Sequence, residues 1–113
     1  MSYRIQRCEK TIERELANIL LNESHNELLK FVSITKVSVN KDFSYAVVWY
    51  TVFGNENEKI ATSKALNDAK GYLRSELAHR IDLRKTPELR FKYDESIEYG
   101  KKIEDILEQL KEK

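Results

Sequence analysis

Residues 44–53 restrict the possible folds of this chain more than any other segment. They have the β-branched and aromatic composition of a strand, and their side chains are apolar on both faces. One face carries Ala46, Val48, Tyr50 and Val52, and the other carries Tyr45, Val47, Trp49 and Phe53. Such a strand is typical of a well-buried position in a sheet. We therefore expect it to be better buried than the strand that precedes it.

The preceding strand is predicted at residues 32–39, which are rich in Val and Ile. Polar residues at 40–42 separate the two strands as a turn would, so we expect a β-hairpin. The apolar parity changes within the first strand, because Ile34 belongs to one parity and Val37 to the other. One extra residue in a strand produces such a change, and we expect a β-bulge near residues 35–36.

Three helical stretches are predicted, at residues 5–22, 57–81 and 96–112, because apolar residues recur at helical spacing in each. Asn57 is a suitable N-cap for the second stretch. The apolar stripe of that stretch consists of Leu66, Ala69, Leu73, Leu77 and Ile81. Gly71 lies within the stretch and predicts a break, a kink or a close approach of another backbone.

A third strand is predicted at residues 89–93, where apolar and basic side chains alternate. Pro87 separates it from the helical stretch, because a residue before proline is pushed toward extended geometry. The expected order is helix, strand, strand, helix, helix, strand, helix. This order places the chain in the α+β class, with a three-stranded sheet and a single domain at 1–113.

The composition excludes several classes of protein. No apolar run approaches the roughly 18 residues of a membrane span, and no signal peptide precedes the first helix, so we expect a cytoplasmic protein without a membrane partner. Cys8 cannot form an internal disulfide, and with His25 and His79 it makes no plausible zinc site. We find no nucleophile, phosphate-binding glycine loop or paired metal ligands, and we expect neither enzymatic activity nor a cofactor.

Residues 83–96 (LRKTPELRFKYDES) carry a specific resemblance. A basic residue precedes Pro-Glu-Leu-x-Phe at 87–91, and the strand runs into Asp-x-Ser at 94–96. This pattern closely resembles the signature of the ribosome-binding factor A family, and residues 13–20, 34–46 and 65–74 agree with it. The resemblance extends from about residue 4 to residue 107. Cys8 departs from the family pattern, in which an aliphatic residue is commoner.

The resemblance implies a type II KH-like domain with an additional C-terminal helix. KH domains ordinarily grip single-stranded nucleic acid with a Gly-x-x-Gly loop. The family instead has an Ala-x-Gly kink, which Ala69 and Gly71 match here. The resemblance further implies a bacterial factor that binds the free 30S ribosomal subunit and assists late 16S rRNA maturation and 5′-end processing. Family members also matter for growth in the cold, and no chemistry is implied.

The charge distribution points to candidate RNA contacts. The net charge of +1 hides a basic segment at 83–93, with four cations and one anion, and an acidic segment at 94–113, with four cations and seven anions. RNA affinity depends on local cations that reach phosphates, so a small net charge does not exclude it. The candidate RNA-binding residues are Ala69, Lys70, Gly71, Arg74, Arg80, Arg84, Lys85, Arg90, Lys92, Arg4 and Arg7.

Each candidate also has an ordinary structural interpretation. In that interpretation Arg90 and Lys92 solvate the outer face of an edge strand, and Gly71 serves helix packing. The aromatic residues of the second strand either stack RNA bases or pack within the sheet. The alternative function is a protein-interaction module that uses the aromatic sheet face and the acidic C-terminal helix. We expect a monomer that binds 16S rRNA within the 30S subunit, with ribosomal proteins as further candidate partners.

Overall fold

The computed structural model describes residues 3–23, 26–81 and 85–96. Within them the chain forms α1 (Tyr3–Asn18), which continues as a π-helical turn (Ile19–Glu23), a 3-10 turn (Glu27–Phe31), β1 (Val32–Val39), β2 (Tyr45–Val52), α2 (Glu56–Asp68), α3 (Lys70–Arg80) and β3 (Glu88–Tyr93). The mixed α+β class and the predicted order are confirmed through β3. The predicted C-terminal helix at 96–112 lies outside the described residues, apart from its first residue.

The three strands form one sheet in the order β1-β2-β3. β1 is antiparallel to β2, whereas β3 is parallel to it. The central position of β2 explains its strong apolar character, and β2 is better buried than β1, as predicted. The pairing register shifts between Ile34 and Lys36, which confirms the predicted bulge. Thr35 is the residue without a partner in that register.

The helices pack against one face of the sheet, which we call the inner face. α1 packs on β1, α2 on β2 and α3 on β3. From β2, the inner face buries Ala46, Val48, Tyr50 and Val52. The helices bury Cys8, Ile12, Leu16, Leu66, Leu73 and Leu77 against it. Glu9 also ties α1 to the sheet, because its Oε2 accepts a hydrogen bond from the Val39 amide at 2.8 Å.

The opposite side of the sheet, the outer face, is only partly covered among the described residues. It consists of Ser33, Lys36, Ser38, Tyr45, Val47, Trp49, Thr51, Glu88, Arg90 and Lys92. The β2 side chains on this face are half-buried rather than buried. The apolar character of β2 on both parities therefore does not mean that helices cover both faces. Phe53, predicted within the strand, lies just beyond β2 and is 84% exposed.

The capping residue of α2 differs from the predicted one. The N-cap is Asn55 rather than Asn57, so that prediction was wrong. The Asn55 side chain accepts from the Glu58 amide at 2.9 Å, and Glu58 Oε1 accepts from the Asn55 amide at 3.0 Å. This reciprocal capping box satisfies two amides that would otherwise lack helical partners. No described helix is long and apolar enough to span a membrane.

The predicted break in the long helical stretch is present, but it lies at Ala69 rather than at Gly71. Ala69 has φ −86° and ψ 1°, which require no glycine. Its amide donates to the Ala65 carbonyl at 3.0 Å, and its own carbonyl accepts from the Leu73 amide at 2.9 Å. Gly71 lies inside α3, and a Cβ there would meet nothing within 4 Å. Of the three alternatives predicted for Gly71, the break is therefore present two residues earlier, and a close approach of another backbone is not found among the described residues.

Candidate nucleic-acid interface

The junction of α2 and α3, residues 69–74, forms what we call the helical corner. Lys70 is half-buried, and Gly71 and Arg74 are exposed. The first turn of α3 has no side-chain cap, because Ala69 precedes it and carries no acceptor. Helix-start amides without a cap suit an anion such as a phosphate oxygen. Four predicted contact residues, Ala69, Lys70, Gly71 and Arg74, therefore lie together at this corner.

Arg74 links the helical corner to the start of β3. Its Nε and Nη2 donate to the Thr86 carbonyl oxygen at 3.2 and 2.8 Å. Thr86 lies two residues before β3, and Lys85 beside it is exposed. The corner therefore adjoins the basic segment that leads into β3. Arg74 therefore has two roles: its guanidinium links α3 to the residues before β3, and it carries a positive charge.

Four further candidates lie outside the sequence ranges of the strands and of the helical corner: Arg80, Arg4, Arg7 and Arg84. Arg80 Nη1 lies 3.6 Å from Glu15 Oε2, so this cation is paired with α1. Arg4 and Arg7 are exposed on α1, in the layer that covers the inner face. Arg84 lies outside the described residues. Of these candidates, the three described ones (Arg4, Arg7 and Arg80) do not lie on the outer face of the sheet.

Arg90 and Lys92 are both exposed on the outer face. The Arg90 guanidinium carbon lies 3.9 Å from the centroid of the Tyr45 ring. Lys92 pairs in register with Trp49. Both cations thus flank aromatic side chains of β2, which is the arrangement of a cation–π contact for Arg90. Glu88 Oε1 lies 3.7 Å from Arg90 Nε and offsets part of its charge.

Lys36 is a cation of this face that the sequence analysis missed. Its Nζ lies 5.2 Å from the centroid of the Trp49 ring, within the range of a cation–π contact. Simple alternation would place Lys36 on the same side as Ile34, which faces inward. The bulge at Thr35 reverses that parity and pairs Lys36 with Trp49. The signal was the predicted bulge itself, which moves every later residue of β1 to the opposite face.

Asp94 follows β3 and is held by hydrogen bonds on both carboxylate oxygens. Its Oδ2 accepts from the Thr35 hydroxyl at 2.6 Å, and its Oδ1 accepts from the Ser96 amide at 3.0 Å. Hydrogen bonds from Ser96 and then Thr35 lower the pKa of Asp94, so the carboxylate stays ionised. Burial, and then the Glu9 carboxylate, raise the pKa of Cys8, so its thiol stays protonated.

Possible metal ligands are dispersed in the described part of the chain. No group of three or more His, Cys, Asp or Glu side chains is placed there to hold an ion. His79 is exposed, and Cys8 is buried beneath α1. What the structure does bring together is a set of cations and aromatic rings. Such a set suits anions and planar groups.

Comparison with known proteins identifies the family to which this chain is similar. The family model for ribosome-binding factor A matches residues 4–107. Ribosome-binding factor A of Staphylococcus carnosus is 46% identical over 110 residues, which are 97% of this chain and 96% of that protein. The corresponding protein of Macrococcus caseolyticus is 43% identical over 110 residues, which are also 97% of this chain and 96% of that protein.

Solved structures agree with this assignment. The crystal structure of ribosome-binding factor A from Thermus thermophilus superimposes with a TM-score of 0.69 at 26% identity, covering 80% of this chain and 97% of that one. A homology model of the Thermus thermophilus protein, fitted into a cryo-EM map of a 30S–RbfA complex, has a TM-score of 0.64 at 25% identity and covers 77% of this chain and 91% of that one. This chain belongs to the ribosome-binding factor A family.

Proposed function

We propose that this protein binds the 30S ribosomal subunit and assists late 16S rRNA maturation, including 5′-end processing. The observation that carries the proposal is the Arg74–Thr86 contact, which joins the helical corner to the basic approach of β3. Lys70, Arg74 and Lys85 thereby border one continuous surface. A relative from Thermus thermophilus that superimposes on this chain is described in a complex with 30S. The RNA of a 30S subunit is a polyanion, and it would suit the positively charged surface of this chain.

The proposed contacts are electrostatic and depend on shape. Lysine and arginine side chains at the corner would reach phosphates, and the uncapped start of α3 would accept a phosphate oxygen. Contacts of this kind position a protein on RNA without reading the base sequence. We therefore propose a type II KH-like RNA-binding domain that acts in the cytoplasm as a monomer and holds an RNA conformation without catalysing a reaction.

Cosedimentation with free 30S subunits tests the proposal. The wild-type chain should travel with the subunits in moderate salt. The Lys70→Glu, Lys85→Glu double variant should bind more weakly and lower the salt slope by about 1.4, at about 0.7 per lost phosphate contact. Its melting temperature should stay close to that of the wild type, because neither side chain is buried in the core.

Lys10→Glu is the matched control, because Lys10 is exposed on α1 above the sheet edge opposite β3. This control should bind subunits as the wild type does. Absence of the wild-type chain from the subunit fraction would contradict the proposal. Binding that survives nuclease treatment and barely responds to salt would favour the protein-interaction module instead.

A further inference from the structure

The outer face of the sheet combines cations and aromatic rings in an alternating pattern. Two rings of β2, Tyr45 and Trp49, stand on this face with only Val47 between them. At about 3.3 Å per residue the rings are roughly 13 Å apart along the strand, so they would meet different bases. Both aromatic residues are half-buried, which leaves part of each side chain accessible.

A cation accompanies each ring, and the two pairs differ in geometry. The Arg90 guanidinium lies 3.9 Å above Tyr45, close enough to stack on the ring. A stacked guanidinium presents its second side to solvent, and RNA-binding proteins use such planes to stack bases. Lys36 lies farther from Trp49, at 5.2 Å. Trp49 therefore offers an aromatic surface beside a charge that could reach a phosphate.

The charges of this face favour an anionic partner. Lys36, Arg90 and Lys92 supply three cations, and Glu88 is the one carboxylate on the described strands of the face. Asp94 lies near Lys36 at the end of β3, and its two carboxylate oxygens accept hydrogen bonds from Thr35 and Ser96. The balance remains positive in the middle of the face, next to Trp49.

The composition of the face favours RNA over a protein partner. The cores of protein–protein interfaces are apolar and depleted in lysine. Here two lysines flank the central tryptophan, and Val47 is the one aliphatic side chain of the face among the described strands. Proteins that bind single strands combine aromatic stacking platforms with a positively charged path. This combination matches the outer face.

We propose that the outer face binds a single-stranded RNA segment, with one base stacked on Trp49, another on the Arg90–Tyr45 pair, and phosphates near Lys36 and Lys92. The inference rests on the proposed RNA-binding function and adds a second surface to it. The bulge at Thr35 is what makes this surface, because it turns Lys36 to the outer side.

Trp49 is the only tryptophan of the chain, so its fluorescence reports directly on this face. Titrating the full chain with a 12-nucleotide oligoadenylate RNA should quench the emission, because a stacked base lies against the indole. Inorganic polyphosphate of equal charge should quench much less, because it has no bases. Equal quenching by both ligands would overturn the inference, and so would equal quenching by polyglutamate, which would indicate an acidic protein.

Two variants test the residues separately. Trp49→Ala should weaken oligoadenylate binding by roughly 5- to 150-fold, measured by anisotropy of a labelled RNA. Lys36→Glu with Lys92→Glu keeps the tryptophan and should abolish most of the quenching while the circular dichroism spectrum stays unchanged. Lys64→Glu is the control, because Lys64 is exposed on α2 in the helical layer, and it should bind as the wild type does.

Comparing the two assays separates this inference from the proposed function. If wild-type chain cosediments with 30S subunits and the outer-face variants bind oligoadenylate normally, the inference is overturned and the function stands. If oligoadenylate quenches Trp49 but neither the wild type nor any variant binds 30S subunits, the proposed function fails. The outer face then remains an RNA-binding site. Quenching that rises with protein concentration alone would indicate a second copy of this chain and would also overturn the inference.

Discussion

The helical corner and the outer face of the sheet both carry positive charge, but they use it differently. At the corner, the Arg74 guanidinium is bonded to the Thr86 carbonyl and so fastens α3 to the start of β3. On the outer face, Arg90 and Lys36 lie against aromatic rings and hold no backbone group in place. Arg74 should therefore affect stability and binding together, whereas the cations of the outer face should affect binding far more than stability.

The largest expected difference between the two regions is in the free energy of unfolding that an aliphatic side chain contributes. Leu73 is fully buried under the helical corner, whereas Val47 is half-buried on the outer face. Leu73→Ala should lower the free energy of unfolding by about 2–5 kcal/mol, because it leaves a cavity in the core. Val47→Ala should cost under about 1 kcal/mol. Urea unfolding of both variants measures this, and equal losses would mean that the outer face is packed as the inner face is.

Arg74 and Arg90 allow a more direct comparison of the two regions, with a smaller expected difference in stability. Arg74→Ala removes two hydrogen bonds and should lower the free energy of unfolding by about 1–2 kcal/mol. The loss is smaller than for a buried hydrogen bond from a charged group, because the Arg74 side chain is exposed. Arg90→Ala removes an exposed cation–π contact and should cost about 0.5 kcal/mol. Thermal melts check the order. A larger loss for Arg90→Ala would contradict the division of roles.

Local patterns allowed most of the fold to be predicted. The bulge could be inferred because its cause, a change of apolar parity, lies inside a single strand. The stripe of Leu66, Ala69, Leu73, Leu77 and Ile81 was predicted from helical spacing alone, and all of them are buried except Ala69, which is half-buried. These features depend on contacts whose periodicity is visible within a few residues.

Choices between near-equivalent residues were less predictable. Asn55 and Asn57 are both good N-caps, and the deciding feature is Glu58, which lies three residues after Asn55 and completes a capping box. Gly71 was expected to mark a break, a kink or a close approach because glycine is unfavourable inside a helix. Ala69 makes the break with ordinary angles, so glycine has no local advantage there.

The candidate site was the least predictable part, because its contacts are long-range. The partner of Arg74 is a backbone carbonyl, and every residue has one, so no sequence signal marks Thr86. Lys36 joined the site only through its pairing with β2, which required both the bulge and the register. Arg80 was a candidate by charge, yet Glu15, distant in sequence, pairs with it.

The smallest expected effect concerns the carboxylate that borders the outer face. Hydrogen bonds from Ser96 and Thr35 lower the pKa of Asp94 below its ordinary value of 3.8. A lowered folded-state pKa contributes stability that is fully present above the unfolded pKa and is lost as pH falls through the folded one. Thr35→Val removes one of these bonds, so the loss of stability below about pH 4 should become shallower.

Melting temperatures of the wild type and Thr35→Val between about pH 2 and pH 6 measure this difference. Asp42 also has a lowered pKa, caused chiefly by Ser44, so it contributes to the acid slope of both proteins equally. Subtracting the two curves therefore isolates Asp94. An unchanged slope would mean that Ser96 and the nearby Lys36 are enough to lower the pKa of Asp94. In that case the Thr35 bulge serves to orient Lys36 and contributes nothing to the acid stability of the outer face.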